Sequence, residues 1–122
     1  MIFWEVGNVA EELRRLPGPY EILELRDGET AILRIVSWER GSIVIHPRYP
    51  GAPPEKEIPV LRVHVPEIVK PYPPRYWDIT AKTLQAQLLP LLTEPGYENY
   101  EYVITAHGVA PRKRFTLERR PL

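Results

Sequence analysis

The chain has 122 residues, 43% of them apolar, with 16 basic and 16 acidic side chains and no net charge. That is enough to bury a core in one domain, and the apolar share excludes disorder throughout. The zero net charge excludes a surface that grips phosphate everywhere, and the absence of cysteine excludes disulfides, thiol nucleophiles and cysteine zinc sites.

The opening MIFWEVGN has neither a basic leader region nor a long apolar run, so no signal peptide or membrane span is expected, and a cytoplasmic protein is the default. Fifteen prolines with two Asn and two Gln lean towards a thermophilic source. Asn8 and Glu11 have capping-box spacing, and Val9, Leu13 and Leu16 share a face, which predicts a short helix from Asn8 to Leu16. Pro17-Gly18-Pro19 stops it. Tyr20 to Arg26 reads as extended, and Asp27-Gly28 as a turn.

Glu29 to Trp38 is apolar on both alternating sets, which predicts a strand shared between two sheets. Glu39-Arg40-Gly41 then reads as a turn and Ser42 to His46 as a second strand. Pro47 to Glu57 holds four prolines and a glycine and reads as a loop. Ile58 to Val65 is the third strand, with Leu61, Val63 and Val65 inward and Arg62 and His64 outward. Pro66 to Pro74 is a proline-rich crossover.

Tyr76 to Leu92 carries the strongest helix signal. Asp78 or Thr80 can cap it, and Ala81, Leu84, Leu88 and Leu91 make the apolar stripe. Pro90 predicts an end near Gln87 to Leu89. After a turn at Glu94-Pro95-Gly96 come two strands. Tyr100 to His107 has Tyr102, Ile104 and Ala106 on one face, and Lys113 to Arg119 has Phe115 and Leu117 inward.

From Glu29 the order is strand, strand, strand, helix, strand, strand. This predicts a mainly β protein: an OB-like five-stranded barrel with a helix between strands 3 and 4 and an added N-terminal helix. One domain is expected over 1–122, with 1–26 as the addition and 27–119 as the barrel.

Three stretches carry a resemblance. WDITAKTLQAQLLPLL (Trp77 to Leu92) and ITAHGVAPRKRFTLE (Ile104 to Glu118) resemble the C-terminal half of OB-fold single-stranded DNA-binding proteins of phages and viruses. DGETAILRI (Asp27 to Ile35) is similar to their first barrel strand. The resemblance spans roughly Asp27 to Glu118 and implies non-catalytic binding of single strands. The N-terminal helix, the proline-rich loops and the neutral charge depart from it.

Single-strand binding needs cations for phosphates and flat side chains for bases. From Pro111 to Leu122 there are five basic residues and one acidic. Arg112, Lys113 and Arg114, with His107 across the turn, are therefore candidate phosphate contacts; the same run also reads as a solvated basic tail. Trp38, His46, Arg62 and His64 form a second candidate face, which equally fits ordinary polar-out alternation. His46 and His64 lack a third ligand, so no metal is expected, and no cofactor is implied. No nucleophile elbow, phosphate-cradling glycine loop or HExxH is present, so no catalytic residue is assigned. The expected partner is single-stranded DNA, with RNA second and no membrane. The alternative is a protein-interaction module docking a partner, or a second copy, through a barrel edge or the proline-rich loops.

Overall fold

The computed structural model describes residues 13–122. Among the described residues the fold is mainly β, with two three-stranded antiparallel sheets and one α-helix. Its organising run is Glu29 to Ile45. Strands β1 (Thr30–Arg34) and β2 (Ser37–Ile45) are separated only by Ile35 and Val36. The double apolar pattern is used as expected, because each half of the run serves a different sheet.

β2 pairs with β3 (Lys56–His64), and β3 pairs with β4 (Tyr76–Ile79), giving a first sheet in the order β2-β3-β4. β1 pairs with β5 (Tyr100–His107), which pairs with β6 (Arg114–Pro121), giving a second sheet in the order β1-β5-β6. Helix α1 (Lys82–Leu92) connects β4 towards β5 through a single 3-10 turn, Tyr97–Asn99.

The main core joins both sheets and the helix. It holds Leu33 and Ile35 from the bent run, Leu61, Val63 and Val65 from β3 and its end, and Ile79, Tyr102 and Ile104. Leu84, Leu88 and Leu92 fill it from α1 at a spacing of four residues, the face that a helix presents to a core. On β5, Tyr102, Ile104 and Ala106 are all fully buried, as their alternation predicts. Phe115 and Leu117 pack against the same core from β6.

Four sequence expectations change. Glu39, Arg40 and Gly41 do not turn; they pair with Arg62, Leu61 and Val60 inside a continuous β2. The bend lies earlier, at Ile35-Val36. Tyr76 to Ile79 is a strand and not the start of the helix, which begins at Lys82 with Ala81 as N-cap and no side-chain cap. Asp78 therefore spends its carboxylate elsewhere. The helix also runs through Pro90 to Leu92. Pro90 lies exposed in the last turn, while buried Leu92 and the Trp38 indole N–H, which donates to Leu92 O (3.1 Å), hold that turn in place.

The N-terminal helix expected over Asn8 to Leu16 lies outside the described residues for 8–12. Leu13 to Leu16 are described and are not helical. Pro17 disfavours helical geometry at Leu16, and Arg15 instead bridges in parallel to Ser42. The Leu16 N–H donates to Ser42 O (2.9 Å), and the Ser42 N–H donates to Arg14 O (3.0 Å). The chain then crosses the outer face of the first sheet and pairs with β4 on the far edge. There the Leu23 N–H donates to Asp78 O (3.0 Å) and the Asp78 N–H to Glu21 O (2.6 Å).

Residues 13–23 thus form a strap fastened at both edges of one sheet. Leu16, Ile43 and Val60 make a small second core beneath it. Among the described residues no ladder joins β4 to β6. Residues 21–25 run along the free edge of β4, and the Lys113 ammonium, at the start of β6, donates to Leu25 O (2.6 Å).

Candidate nucleic-acid interface

The seam between β4 and β6 is a groove of about 400 Å³. Ile22, Leu23, Leu25, Pro111 and Phe115 give it an apolar floor, and Lys82 and Lys113 stand at its rim. Among the described residues Glu24 is the single acidic one in the lining. Thr80, Ala81, Lys82 and Thr83 bring the start of α1 to the same wall. That first turn has no acidic residue and no side-chain cap, so its backbone N–H groups and Lys82 carry the same sign of charge. Lys113 spends one proton on Leu25 O and keeps two.

The structure divides the basic cluster expected at the C-terminus. Arg112 lies exposed in the turn after Gly108, and Lys113 lies at the groove. Arg114 stands opposite His107 at the start of the β5–β6 ladder, on the outer face of the second sheet, where His107 Nε2 meets Thr116 Oγ1 (3.0 Å). Arg119 is paired with Glu94 (3.1 Å) and lies over the Tyr100 ring; Arg120 is paired with Glu101 (3.4 Å). The Glu94 hydrogen bond holds the Arg119 pKa above its ordinary value. Of the cluster, then, Lys113 lines the groove and Arg112 adjoins it in the exposed turn, while Arg114 and His107 face away.

The second expected face does not assemble as an open surface. Trp38 points inward, opposite Val63, and packs against the main core. His46 lies beyond β2 at one end of the ladder, with Nδ1 at 3.0 Å from Pro54 O, whereas His64 pairs with Ser37 at the other end. The two histidines are not neighbours. Among the described residues no three His, Cys, Asp or Glu side chains come close enough to hold a metal. His64 Nε2 lies 3.1 Å from Glu39 Oε2 and sets its ring edge-on to Tyr76.

Arg62 faces outward from β3, as alternation predicts, but it is 3% exposed because the strap covers it. Its Nε donates to Asp78 Oδ1 (2.7 Å), its Nη2 to Asp78 Oδ2 (3.2 Å) and its Nη1 to Pro17 O (2.9 Å). The guanidinium also lies 4.0 Å from the Tyr76 ring centroid. Burial works against its charge, and the Asp78 hydrogen bond and field outweigh burial, so its pKa is raised.

Sequence reasoning missed Lys82, Tyr76, Asp78 and Lys70. For Lys82 a signal existed: TAKT opens a helix without an acidic residue in its first turn. Lys70 gave none. It is 1% exposed and donates to Glu21 Oε1 (2.9 Å) and to Pro74 O, with Trp77 and Tyr72 rings beside it.

The first fastening of the strap is expected to weaken in acid. Ser42 Oγ donates to Glu57 Oε2 (2.5 Å), and Arg15 Nη2 lies 3.6 Å from Glu57 Oε1. The Ser42 hydrogen bond holds the Glu57 carboxyl below its ordinary value of 4.5; partial burial opposes this and Arg15 adds to it. A depressed carboxyl stabilises the fold above its unfolded pKa and loses that contribution as pH falls through the folded value. Amide exchange at Leu16 and Ser42 is therefore expected to accelerate, relative to Ile104, once pH drops below 4.5. Glu57→Gln is expected to abolish that pH dependence. An unchanged ratio of exchange rates across the range contradicts this assignment.

Comparison with protein families, with curated proteins and with solved structures gave no match for this chain.

Proposed function

We propose that the chain binds single-stranded nucleic acid, DNA before RNA, with little sequence preference, in the cytoplasm. The observation that carries the reading is the groove lined by apolar side chains together with Lys82 and Lys113. Bases need an apolar or aromatic bed, and phosphates need cations beside it. Phe115 and Pro111 supply the bed; Lys82 and Lys113 supply the charge, with Arg112 next to Lys113 in the exposed turn. A volume of about 400 Å³ suits one or two unpaired bases and not a duplex.

The fold supports the reading at the level of element order. A bent first run shared by two sheets, two further strands, a helix and two final strands follow the OB-like order. In this reading the barrel's closing seam is filled by residues 21–25, and the groove forms where the strap and the β5–β6 turn meet.

Lys82→Glu and Arg112→Glu test it. Each is expected to weaken binding of a labelled oligonucleotide and to lower the slope of log affinity against log salt by about 1. Arg34→Glu, an exposed change on β1, is expected to leave affinity unchanged. Equal losses from all three, or none from any, contradict the groove reading.

A protein-docking module is the second reading. It is favoured by Val109, 70% exposed at the β5–β6 turn, and by the two C-terminal arginines whose charge Glu94 and Glu101 already take up.

A further inference from the structure

The strap presents a row of oxygens to a row of donors. Pro17 O accepts from Arg62, Pro19 O accepts from the Tyr76 hydroxyl (2.6 Å), and Glu21 Oε1 accepts from Lys70. The three strap residues are two apart, two offering backbone carbonyls and one a carboxylate, and the chain bends between them at Gly18. The receiving donors are held by the sheet and its adjoining loop: Arg62 by Asp78, Lys70 by Pro74 O and the Trp77 ring.

The strap itself is lightly fastened. Besides its polar contacts, two isolated bridges attach it, Leu16 is its only fully buried side chain, and Pro17, Gly18 and Pro19 are exposed. Its small core, with Tyr20 and Ile22 against it, is separate from the main one, which Leu23 at the end of the strap touches. A segment with so few buried contacts opens below the free energy of global unfolding.

We propose that residues 13–23 are a displaceable strap, sitting where an extended, oxygen-rich strand binds, and that opening it adds the Arg62, Tyr76 and Lys70 donors to the nucleic-acid surface. The identity of the ligand rests on the function proposed above; the displacement does not.

Gly41 gives the handle that releases the strap. A Cβ there would stand 2.4 Å from Leu16 Cγ and 2.6 Å from Arg14 O, and β2 cannot yield because β3 pairs with it along its whole length. Gly41→Ala therefore pushes the strap off and leaves every donor in place. Arg15→Cys with Ser42→Cys gives the lock. The two residues are bridged, and both side chains reach Glu57, so they share a side; the chain has no other cysteine.

Two readouts decide the matter. In hydrogen exchange, the Leu16, Ser42, Leu23 and Asp78 amides are expected to exchange well ahead of Tyr102 and Ile104, and further ahead in Gly41→Ala. Exchange in step with β5 overturns the strap. In anisotropy with a labelled single strand, Gly41→Ala is expected to bind about tenfold more tightly than the reduced double-cysteine protein, if the native strap is open in roughly a tenth of molecules, and the oxidised lock more weakly than either. Equal, measurable binding by locked and released forms overturns the strap's role and leaves the groove reading standing. No binding by any form, with exchange showing that the strap opens, overturns nucleic acid as the ligand for both.

Discussion

Asp78→Ala is expected to lower the unfolding free energy by about 3–5 kcal/mol, the cost of breaking a buried ion pair from one side. Asp78 is fully buried, and its two carboxylate oxygens take three hydrogen bonds: two from Arg62 and one from the Glu21 N–H (2.9 Å). Alanine leaves the guanidinium in place with its charge unanswered and no route to shed it, since a guanidinium keeps its proton even where burial opposes its charge. It also removes one of the strap's fastenings at β4. Replacing both partners, Arg62→Met with Asp78→Leu, is expected to recover part of the loss, because no charge is then left orphaned. Urea denaturation of the two variants beside the parent protein measures the difference. A loss below about 1 kcal/mol for Asp78→Ala would show that water reaches the pair, as it does for exposed ion pairs.

Leu88→Ala carries the other large effect, expected at about 2–5 kcal/mol. Leu88 is fully buried at the middle of the α1 stripe, in the core that joins the two sheets. Truncation removes apolar contact and leaves a cavity that Leu84 and Leu92, fixed in the same stripe, cannot fill. Leu16→Ala makes the useful contrast. Leu16 is as buried, but its core is the small one under the strap. Its truncation is expected to loosen the strap first and to leave the β5 amides protected. If Leu16→Ala cost as much global stability as Leu88→Ala, the two cores would be one cooperative unit.

Much of the second sheet was legible in the chain. Tyr102, Ile104 and Ala106 alternate cleanly and all lie inside; Asp27-Gly28 turns where Gly28 takes a φ of 85°. The double apolar pattern of Glu29 to Trp38 announced a strand used by two sheets. What hid the bend was Gly41, which beside Glu39 and Arg40 reads as a turn. It is small because the strap lies on it, and only tertiary structure brings the strap there. Asp78 was misread for a similar reason. A short acidic residue ahead of an apolar periodic run is the usual N-cap, yet its partner sits sixteen residues earlier on β3. Alternation put Arg62 on the correct face and said nothing of the segment that covers it. The groove was half visible: Arg112 and Lys113 stood out by composition, whereas Lys82 joins them only once β4 delivers the helix to the seam.

The measurement that tests the account most directly is fluorescence anisotropy of labelled single-stranded and double-stranded DNA with the intact protein, at about 50 and 200 mM salt, where phosphate contacts show their dependence. The account predicts binding of the single strand in preference to the duplex, falling steeply between the two salt concentrations. Absence of single-strand binding at the lower salt by protein shown to be folded, or binding indifferent to salt, contradicts it.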